Sequence, residues 1–485
     1  MGPLGRTTLA QVAAPSVPPR LRTLLDAAAP LTGIFTAAGR RLYLVGGSVR
    51  DALVGDVDLD GIDLDLTTEA RPDEILELVR PVADAIWEQG RAFGTIGLRT
   101  GGRSFEITTH RAEAYREDSR KPSVTFGDDI ETDLSRRDFT INAMALDLAS
   151  LSLVDPFGGA ADLAQRRLAT PLDPEVSFSD DPLRMLRAAR FTARFELVPD
   201  QAVVAAATEL AERLAIVSSE RIRDELDKML MVKTPSVALW FVVRTGLAAQ
   251  FLPELVALEL EQDPVHRHKD VLAHTLAVVD KTSADRLLRL AALLHDIGKP
   301  RTRAFGADGV SFHHHEVVGA RMAKARMEAL RYSSDDVEVV TRLVELHLRF
   351  HTYKMGWTDR AVRRYVRDAG AELDRLNELT RCDCTTRNER RARELAARMD
   401  ELEARIADLR QREAIDSMRP ELDGDAVMAR LGIGPSRDVG DALEFLLELR
   451  LDEGLLGEGE AGRRLDEWWA SRGPRRAPGA PGAPR

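Results

Sequence analysis

Two glycines and a pair of alternating aspartates are the features that most restrict what this chain can fold into. Gly46 and Gly47 follow the apolar run LYLV, and Asp63 and Asp65 flank a leucine shortly afterwards. A glycine turn after a strand lets backbone N–H groups approach phosphate oxygens closely. Residues two apart on a strand share a face, so the two carboxylates point one way while their apolar neighbours point to the core. The pattern predicts a site for a phosphate-bearing ligand.

The carboxylates of this pattern are suited to phosphoryl transfer. Mg²⁺ prefers hard oxygen ligands and keeps coordination positions for substrate phosphates, so we expect Mg²⁺ at the two aspartates. Glu106 lies in the second strand of a predicted hairpin, in opposite phase to Phe105 and Ile107, and is a candidate to complete a carboxylate triad. Ser48 and Arg50 continue the glycine turn, and we expect Arg50 to neutralise a triphosphate. A lone Asp-x-Asp is more often an exposed strand edge; the nearby glycine turn favours the site.

Together these residues resemble the polymerase-β-like nucleotidyltransferase superfamily. Residues 136–145, RRDFTINAMA, are similar to a signature shared by bacterial CCA-adding enzymes and bacterial poly(A) polymerases. The resemblance implies that Arg137, Asp138 and Asn142 help to hold the sugar and triphosphate of a nucleotide.

Residues 180–191, DDPLRMLRAARF, resemble the nucleotide-selecting helix of that family. Asp181 and Arg184 are three apart, so we expect them to share a helical face as one acceptor and one donor. This pair matches the base edges of cytosine and adenine, whereas uracil or guanine would leave buried polar groups unpaired at roughly 1–3 kcal/mol each. An ordinary ion pair on a core helix is the alternative. Asp180 departs from the family pattern, because relatives commonly carry Glu there.

The charge balance requires local basic surfaces if the chain binds nucleic acid. The formal net charge is −11, and phosphate contacts need cations where the backbone lies. Arginines repeat every three or four residues along the selecting helix, and the runs RAVRRYVR and RNERRAR follow later. We place Arg187 and Arg190 in the nucleotide-binding set; solvated helix faces are the alternative for any one run.

A second constellation lies far downstream, where LRLAALLHDIGKP predicts an apolar helix that ends at a histidine and an aspartate. Mixed imidazole and carboxylate ligands suit a transition metal better than Mg²⁺. The set resembles the HD phosphohydrolase superfamily, whose pattern implies a basic set of ligands and two further histidines for a second ion. The basic set is His274, His295, Asp296 and Asp383, and the further histidines are His315 and His347. His315 is one of three consecutive histidines and is favoured by the HEVVGA context, with His313 and His314 as the alternatives.

The fold class that these patterns imply is α+β: a small mixed α/β nucleotidyltransferase head followed by a mainly α-helical neck, an HD domain and C-terminal helices. With 485 residues the chain is long enough for several domains. The expected ranges are a disordered leader at 1–20, the head at 21–160, the neck at 161–255, the HD domain at 256–395, C-terminal helices at 396–471 and a disordered tail at 472–485. Within the neck, residues 220–225, ERIRDE, look like a structural family motif.

The resemblance implies a template-independent enzyme that uses CTP and ATP to build or repair the 3′-terminal CCA of tRNA, and the HD fusion is most similar to CCA-adding enzymes of high-GC Gram-positive bacteria. Four alternatives stay open. They are a bacterial poly(A) polymerase, an enzyme adding only CC or only A through a loop within 111–135, an HD phosphohydrolase with an RNA-binding head, and a tRNA chaperone. Activity of the HD domain on a phosphomonoester or 2′,3′-cyclic phosphate is a further possibility.

Cysteine content and hydropathy indicate the compartment. Cys382 and Cys384 are the only cysteines and lie too close together for an easy disulfide, which fits a reducing environment. The first twenty residues contain no apolar run long enough for a signal peptide, and nothing resembles a membrane span. We expect a cytoplasmic protein with no membrane partner.

Overall fold

The computed structural model describes residues 19–54, 64–116, 119–260, 270–306, 309–352, 357–384, 389–413, 415 and 418–472. Asp63 lies outside the described residues, as do 1–18 of the expected leader and 473–485 of the expected tail. The chain divides into two compact units. The first runs to Ala257 and includes Ala329–Tyr332, and the second comprises Leu258–Glu328 and the chain from Ser333 onward. Among the described helices, none has both the length and the apolar composition that crossing a bilayer requires.

A seven-stranded mixed sheet forms the centre of the first unit. The strands of this unit are β1 (Tyr43–Val45), β2 (Leu64–Thr68), β3 (Ala85–Trp87), β4 (Thr95–Thr100), β5 (Arg103–Thr109), β6 (Arg111–Arg116), β7 (Ser119–Phe126), β8 (Ala145–Asp147), β9 (Leu153–Val154), β10 (Arg167–Leu168) and β11 (Val198–Pro199). The strand order of the large sheet is β3-β4-β5-β2-β1-β8-β9. Strands β2 and β5 pair in parallel, while their outer neighbours pair antiparallel.

The hairpin expected around Gly101 and Gly102 is confirmed. Both glycines have positive φ, +56° and +77°, and they join the antiparallel strands β4 and β5. A two-residue hairpin loop of this kind needs left-handed backbone at both positions, which glycine adopts without steric cost. The turn fixes the register of β5 and therefore the direction in which each of its side chains points.

The helices of the first unit are α1 (Pro19–Ala37), α2 (Gly47–Val54), α3 (Pro72–Val79), α4 (Ile130–Ser135), α5 (Gly159–Ala164), α6 (Pro174–Asp180), α7 (Leu183–Arg194), α8 (Gln201–Glu209), α9 (Ser219–Leu230), α10 (Pro235–Arg244), α11 (Leu247–Phe251) and α12 (Pro253–Val256). Helix α1 begins inside the expected leader. Apolar side chains of α1 and α3, including Phe35 and Ile75, pack with Leu64, Leu66 and Phe105 of the sheet. One face of the sheet is therefore covered by helices. On the other face a smaller buried apolar cluster that includes Tyr43 and Val45 lies beside the polar residues of β2 and β5.

The second unit is mainly helical. It contains the hairpin of β12 (Ala304–Gly306) and β13 (Gly309–Ser311) and the helices α13 (Val271–Lys281), α14 (Arg286–Leu294), α15 (Lys299–Thr302), α16 (His315–Ala329), α17 (Ser334–Leu346), α18 (Asp359–Ala369), α19 (Leu373–Asp383), α20 (Glu389–Glu413), α21 (Gly424–Leu431), α22 (Arg437–Glu453) and α23 (Glu458–Ser471). Helix α14 contacts α13, α17 and α19. The expected α+β class, a mixed head with a mostly helical remainder, is confirmed.

Candidate active site and metal centre

Two carboxylates lie side by side on the open face of the sheet. Asp65 of β2 pairs in register with Glu106 of β5. Asp65 is exposed and Glu106 is partly exposed, whereas the flanking Leu64 and Phe105 are fully buried. The alternation read from the sequence is therefore present, and strands about 4.8 Å apart bring the two carboxylates within reach of a shared cation. The third expected carboxylate, Asp63, lies outside the described residues.

The glycine turn at the end of β1 is flanked by arginines. Gly46 has φ +71°, and a Cβ at this position would lie 3.0 Å from Nη1 of Arg137. A Cβ at Gly47 would lie 3.3 Å from Nη2 of Arg50. Ser48 follows within α2. The absence of side chains at 46 and 47 thus lets two guanidinium groups approach the turn, which suits an anionic ligand.

Arg50 and Arg137 differ in how many contacts their guanidinium groups already make. Arg50 is 4% exposed, donates to Asn142, forms an ion pair with Asp51 at 2.7 Å and lies over the ring of Phe195. Its guanidinium therefore also secures the turn, a role that the expectation of simple charge neutralisation did not include. The Nε atom of Arg137 is buried and makes no hydrogen bond within the described part of the chain. Its Nη2 forms one long ion pair, with Oδ2 of Asp133 at 3.4 Å. Because its contacts are fewer and longer than those of Arg50, Arg137 is the better placed of the two for a phosphate.

Asp138 is the centre of a buried polar network. Its Oδ1 accepts from the backbone N–H of Phe139 at 2.8 Å and from Nδ2 of Asn142 at 2.9 Å. Its Oδ2 accepts from Nε of Arg187 at 2.8 Å. Burial opposes the charged form, but the arginine and these hydrogen bonds outweigh it and lower the pKa of Asp138 to about 2. The structure thus brings Asp138, Asn142 and Arg187 together.

The predicted base-selecting pair has a different geometry from the one expected. Asp181 precedes α7 and forms an ion pair with Arg221 at 3.0 Å. Arg184 is 8% exposed and donates to Oγ of Ser177 at 2.8 Å and to the backbone carbonyl of Arg136. The two residues do not share a face of α7, because the helix begins only at Leu183. Arg221 lies forty residues downstream, within the ERIRDE segment, and no spacing in the sequence links it to Asp181.

Arg190 is part of a buried ion pair. Its Nε lies 2.7 Å from Oε2 of Glu225, and the two residues are 7% and 2% exposed. Glu225 belongs to the ERIRDE segment on α9, so the pair joins α9 to α7. This contact fits the structural role expected for that segment and leaves Arg190 little freedom to bind a nucleotide directly.

The later basic runs also make internal contacts. Arg363 is 5% exposed and pairs with Glu413 at 2.8 Å, while Arg364 and Arg367 both pair with Glu448. The run RNERRAR lies partly outside the described residues. The run on α18 therefore ties the helices of the second unit together more than it offers a free basic surface.

The six expected metal ligands of the second unit converge into two groups. Potential ligand atoms of His274, His295 and Asp383 lie within 4.8 Å of one another, and those of Asp296, His315 and His347 do the same. Asp296 lies between the groups, with Oδ2 at 3.2 Å from Nε2 of His295 and Oδ1 at 3.4 Å from Nε2 of His315. Its carboxylate therefore faces both groups and would belong to the ligand set of each.

Backbone carbonyls orient three of these histidines. Nδ1 of His295 lies 2.7 Å from the carbonyl of Ala292, and Nδ1 of His347 lies 2.6 Å from that of Val344. The Nδ1 atom of His315 contacts the carbonyl of Phe312 at 2.7 Å. A carbonyl can only accept, so each Nδ1 carries the proton in the neutral ring and each Nε2 offers a lone pair to the centre.

The donor set fits a metal. Nε2 of His295, His315 and His347 is buried without a hydrogen-bond partner among the described residues. Burial lowers the pKa of His347 to about 3, so this ring is neutral and able to ligate. Burial alone would lower the pKa of His295 as well, but in the metal-free site the carboxylates of Asp296 and Asp383 raise it to about 10, so this ring would lose its Nε2 proton on ligating a metal. Three buried ring nitrogens aimed at two carboxylates match the requirements of divalent metal binding.

A lysine that the sequence reasoning missed lies against the centre. Nζ of Lys299 is 2.6 Å from Oδ2 of Asp296. Its spacing of three residues from Asp296 was the available signal, since residues three apart meet on a helical turn. The charge of Lys299 adds to the groups that hold the pKa of Asp296 well below its usual range against the opposing effect of burial.

Three known families match successive parts of the chain, in the order in which the motifs occur along it. Residues 42–169 match the Poly A polymerase head domain, residues 197–258 match "Probable RNA and SrmB- binding site of polymerase A", and residues 267–410 match the HD domain. The expected combination of a nucleotidyltransferase head and an HD domain is confirmed by these matches.

The relatives of the chain include an A-adding tRNA nucleotidyltransferase and CCA-adding enzymes. An A-adding tRNA nucleotidyltransferase of Deinococcus radiodurans is 35% identical over 448 residues, which cover 89% of this chain and 96% of that protein. A CCA-adding enzyme of a Geobacillus species is 40% identical over 231 residues, which cover 47% of this chain and 55% of that protein. The alignment with this CCA-adding enzyme thus spans about half of its length.

Solved structures share the fold. The CCA-adding enzyme of Bacillus stearothermophilus in complex with CTP has a TM-score of 0.67 at 22% identity and covers 94% of this chain and 98% of its own. The Thermotoga maritima CCA-adding enzyme complexed with tRNA has a TM-score of 0.58 at 20% identity and covers 96% of this chain and 99% of its own. At these identities the likeness concerns the fold alone.

Proposed function

Because this chain belongs to the tRNA nucleotidyltransferase family, we propose that it adds nucleotides from CTP and ATP to the 3′ end of tRNA and so completes the CCA terminus. The observation that carries this proposal is the register of Asp65 and Glu106 on the open face of the sheet. On an adjoining strand, the glycine turn at Gly46 is open to the guanidinium of Arg137. Carboxylates beside a cationic phosphate cradle are the arrangement that nucleotidyl transfer requires.

Each part of this site has a role in the proposed reaction. Asp65 and Glu106, with Asp63, would hold Mg²⁺, which supplies charge neutralisation at the reacting phosphate. Arg137 would bind the triphosphate, and the Asp138–Asn142 network would position the sugar. The 3′-hydroxyl of the RNA attacks the α-phosphorus and pyrophosphate leaves, so catalysis consists mainly of positioning and needs no covalent enzyme intermediate.

In this proposal, Asp181 and Arg184 select the base. Both already have partners, so their carboxylate and guanidinium are held in place before a base arrives. A preorganised acceptor and donor favour the base edges of cytosine and adenine over those of uracil and guanine.

The test uses one tRNA transcribed with its 3′ end before, within and after CCA. Purified protein is incubated with Mg²⁺, CTP and ATP, and the 3′ ends are sequenced. We expect extension that stops at CCA, and we expect Asp65→Asn and Glu106→Gln to reduce it by at least about a hundredfold without loss of folding. Untemplated A-tails of mixed length would move the assignment to poly(A) polymerase.

Addition of A alone is the second candidate. The relative that aligns along 89% of this chain is an A-adding enzyme, whereas the alignment with the Geobacillus CCA-adding enzyme covers 47%. The same assay decides between them. An A-adding enzyme would extend the transcript that ends in CC and leave the shorter transcripts unchanged.

For the second unit we propose a metal-dependent phosphohydrolase that uses two divalent transition-metal ions. The mixed imidazole and carboxylate donors favour such ions over Mg²⁺. A phosphomonoester or a 2′,3′-cyclic phosphate at an RNA end is the expected substrate. Release of phosphate from a phosphomonoester end, or opening of a 2′,3′-cyclic phosphate to a phosphomonoester, would support this activity if the wild type shows it and His295→Ala does not. The cytoplasm is the compartment in which both reactions would meet tRNA.

A further inference from the structure

The open face of the sheet carries an indole close to the carboxylates. Trp87 pairs in register with Gly97, Gly97 with Glu106, and Glu106 with Asp65. Residues that pair in register project from the same face of a sheet, so one row runs from Trp87 to Asp65. The adjacent row turns to the other face, where Leu98 is fully buried in the core. The indole therefore shares the face of the proposed active site.

The indole leans over the strand that separates it from Glu106. A Cβ added to Gly97 would lie 1.8 Å from Nε1 and 2.2 Å from Cε2 of Trp87. The ring thus occupies the space above Gly97, about one strand spacing of 4.8 Å from Glu106. Trp87 remains partly exposed. Glycine at position 97 is required for this placement, since any larger residue would displace the ring.

The strand order indicates which of the two substrates lies next to Trp87. The glycine turn follows β1, on one side of Asp65, whereas Glu106 and Trp87 lie on the other side, toward β5 and β3. In an in-line transfer, the attacking hydroxyl and the leaving pyrophosphate lie on opposite sides of the α-phosphorus. With the triphosphate at the glycine turn, the 3′ end of the RNA approaches from the side of Trp87.

An arginine, Arg99, projects from the same face of the sheet as Trp87. Arg99 pairs in register with Ser104 and is two residues beyond Gly97 on β4, so it projects from the same face. Its side chain is exposed to solvent. Single-stranded nucleic acid is held by aromatic side chains that stack on bases together with cations that face the phosphates.

We propose that Trp87 stacks on the 3′-terminal nucleoside of the acceptor RNA, that Arg99 faces its phosphate, and that the two position the 3′-hydroxyl beside Glu106. The inference rests on the proposed nucleotidyl transfer. Trp87 is a positioning residue for the acceptor, and the incoming nucleotide does not contact it.

The test compares wild type with Trp87→Ala, Trp87→Phe and Gly97→Ala. In steady-state extension we expect Trp87→Ala to raise the KM for tRNA about tenfold, the scale of one lost base–aromatic stack, while the KM for ATP and CTP changes less than about twofold. Trp87→Phe keeps an aromatic ring and should restore most of the loss. Gly97→Ala displaces the ring without removing it and should behave as Trp87→Ala. Thermal unfolding of each variant reports whether folding is preserved.

Direct binding separates failure of this inference from failure of the proposed function. Fluorescence anisotropy of a 5′-labelled acceptor minihelix ending in CC should show a Kd about tenfold weaker for Trp87→Ala. An unchanged Kd and unchanged KM for tRNA, or an equal rise in the KM for nucleotides, would overturn the inference. A wild type that extends no RNA would refute the proposed function, and in that case a weaker Kd in Trp87→Ala would still support the acceptor contact.

Discussion

Asp138 accepts hydrogen bonds from both Nε and Nη2 of Arg187, at 2.8 and 2.5 Å. This contact ties the RRDFTINAMA segment, which begins two residues earlier, to helix α7. Asp138 also receives the amide of Asn142, whose own oxygen accepts from Arg50 behind the glycine turn. The parts of the site that would hold the sugar, the triphosphate and the base are thus joined through one buried carboxylate.

The stability of the protein should depend on Asp138 at acid pH. Its pKa falls from 3.8 to about 2 on folding, so the stabilisation is fully present above pH 4 and is lost as the pH falls toward 2. The shift corresponds to roughly 2 kcal/mol. Urea unfolding of Asp138→Asn between pH 2 and 7 should show a lower stability at pH 7 and a smaller difference from wild type near pH 2.

The half-buried Asp147, at the end of β8, provides the control. Its side chain accepts from the backbone amides of Ala149 and Ser150, and Asp147→Asn keeps an acceptor there, so this variant should lose stability at acid pH as the wild type does. A parallel pH dependence in wild type and Asp138→Asn would show that Asp138 is not the titrating group.

The buried pair of Arg190 and Glu225 should be costly to break. Glu225→Gln leaves the guanidinium of Arg190 buried without a charge partner, which costs about 3–5 kcal/mol. Denaturant unfolding, followed by circular dichroism, measures the change. Glu220→Gln, at an exposed position on the same helix, should change the free energy of unfolding by less than about 0.5 kcal/mol. Equal effects of the two substitutions would contradict the importance of the pair.

The sequence predicts what local periodicity and short motifs encode. The alternation of Leu64, Asp65 and Leu66 predicts both the strand and its exposed carboxylate, because a strand facing a core on one side places every second residue there. The burial of Arg50 against Phe195 could not be predicted in this way. That contact depends on how α7 packs near the glycine turn, and no spacing in the sequence records it.

In the metal centre, too, the sequence predicts some features and the packing of distant segments determines others. The resemblance to HD proteins supplied His347 and Asp383, although they are far apart in the chain. The role of Asp296 as a shared neighbour of both histidine groups emerges only from the distances, since the sequence places it beside His295 alone.

That shared position predicts the metal stoichiometry of variants. Wild type should bind two divalent ions in the second unit, His347→Ala should lose one, and Asp296→Ala should lose both because its two oxygens face different groups. Inductively coupled plasma mass spectrometry after gel filtration measures the content. His314→Ala is the matched control, since that side chain is 84% exposed and should retain both ions. Loss of a single ion in Asp296→Ala would exclude a bridging carboxylate.

The ion pair between Asp181 and Arg221 gives a test of base selection. If the Asp181 carboxylate selects the base, Asp181→Ala should reduce the preference for CTP over UTP by about tenfold or more, because the wrong base no longer leaves this acceptor unpaired. Arg221→Ala removes the ion pair but leaves the carboxylate, which the backbone N–H of Leu183 still holds, so selectivity should stay within about threefold of wild type. The ratio of kcat/KM for CTP and UTP on one tRNA measures both. Equal losses in the two variants would mean that Asp181 serves only to anchor α9, and base selection would then have to rest on Arg184 and its contact with Ser177.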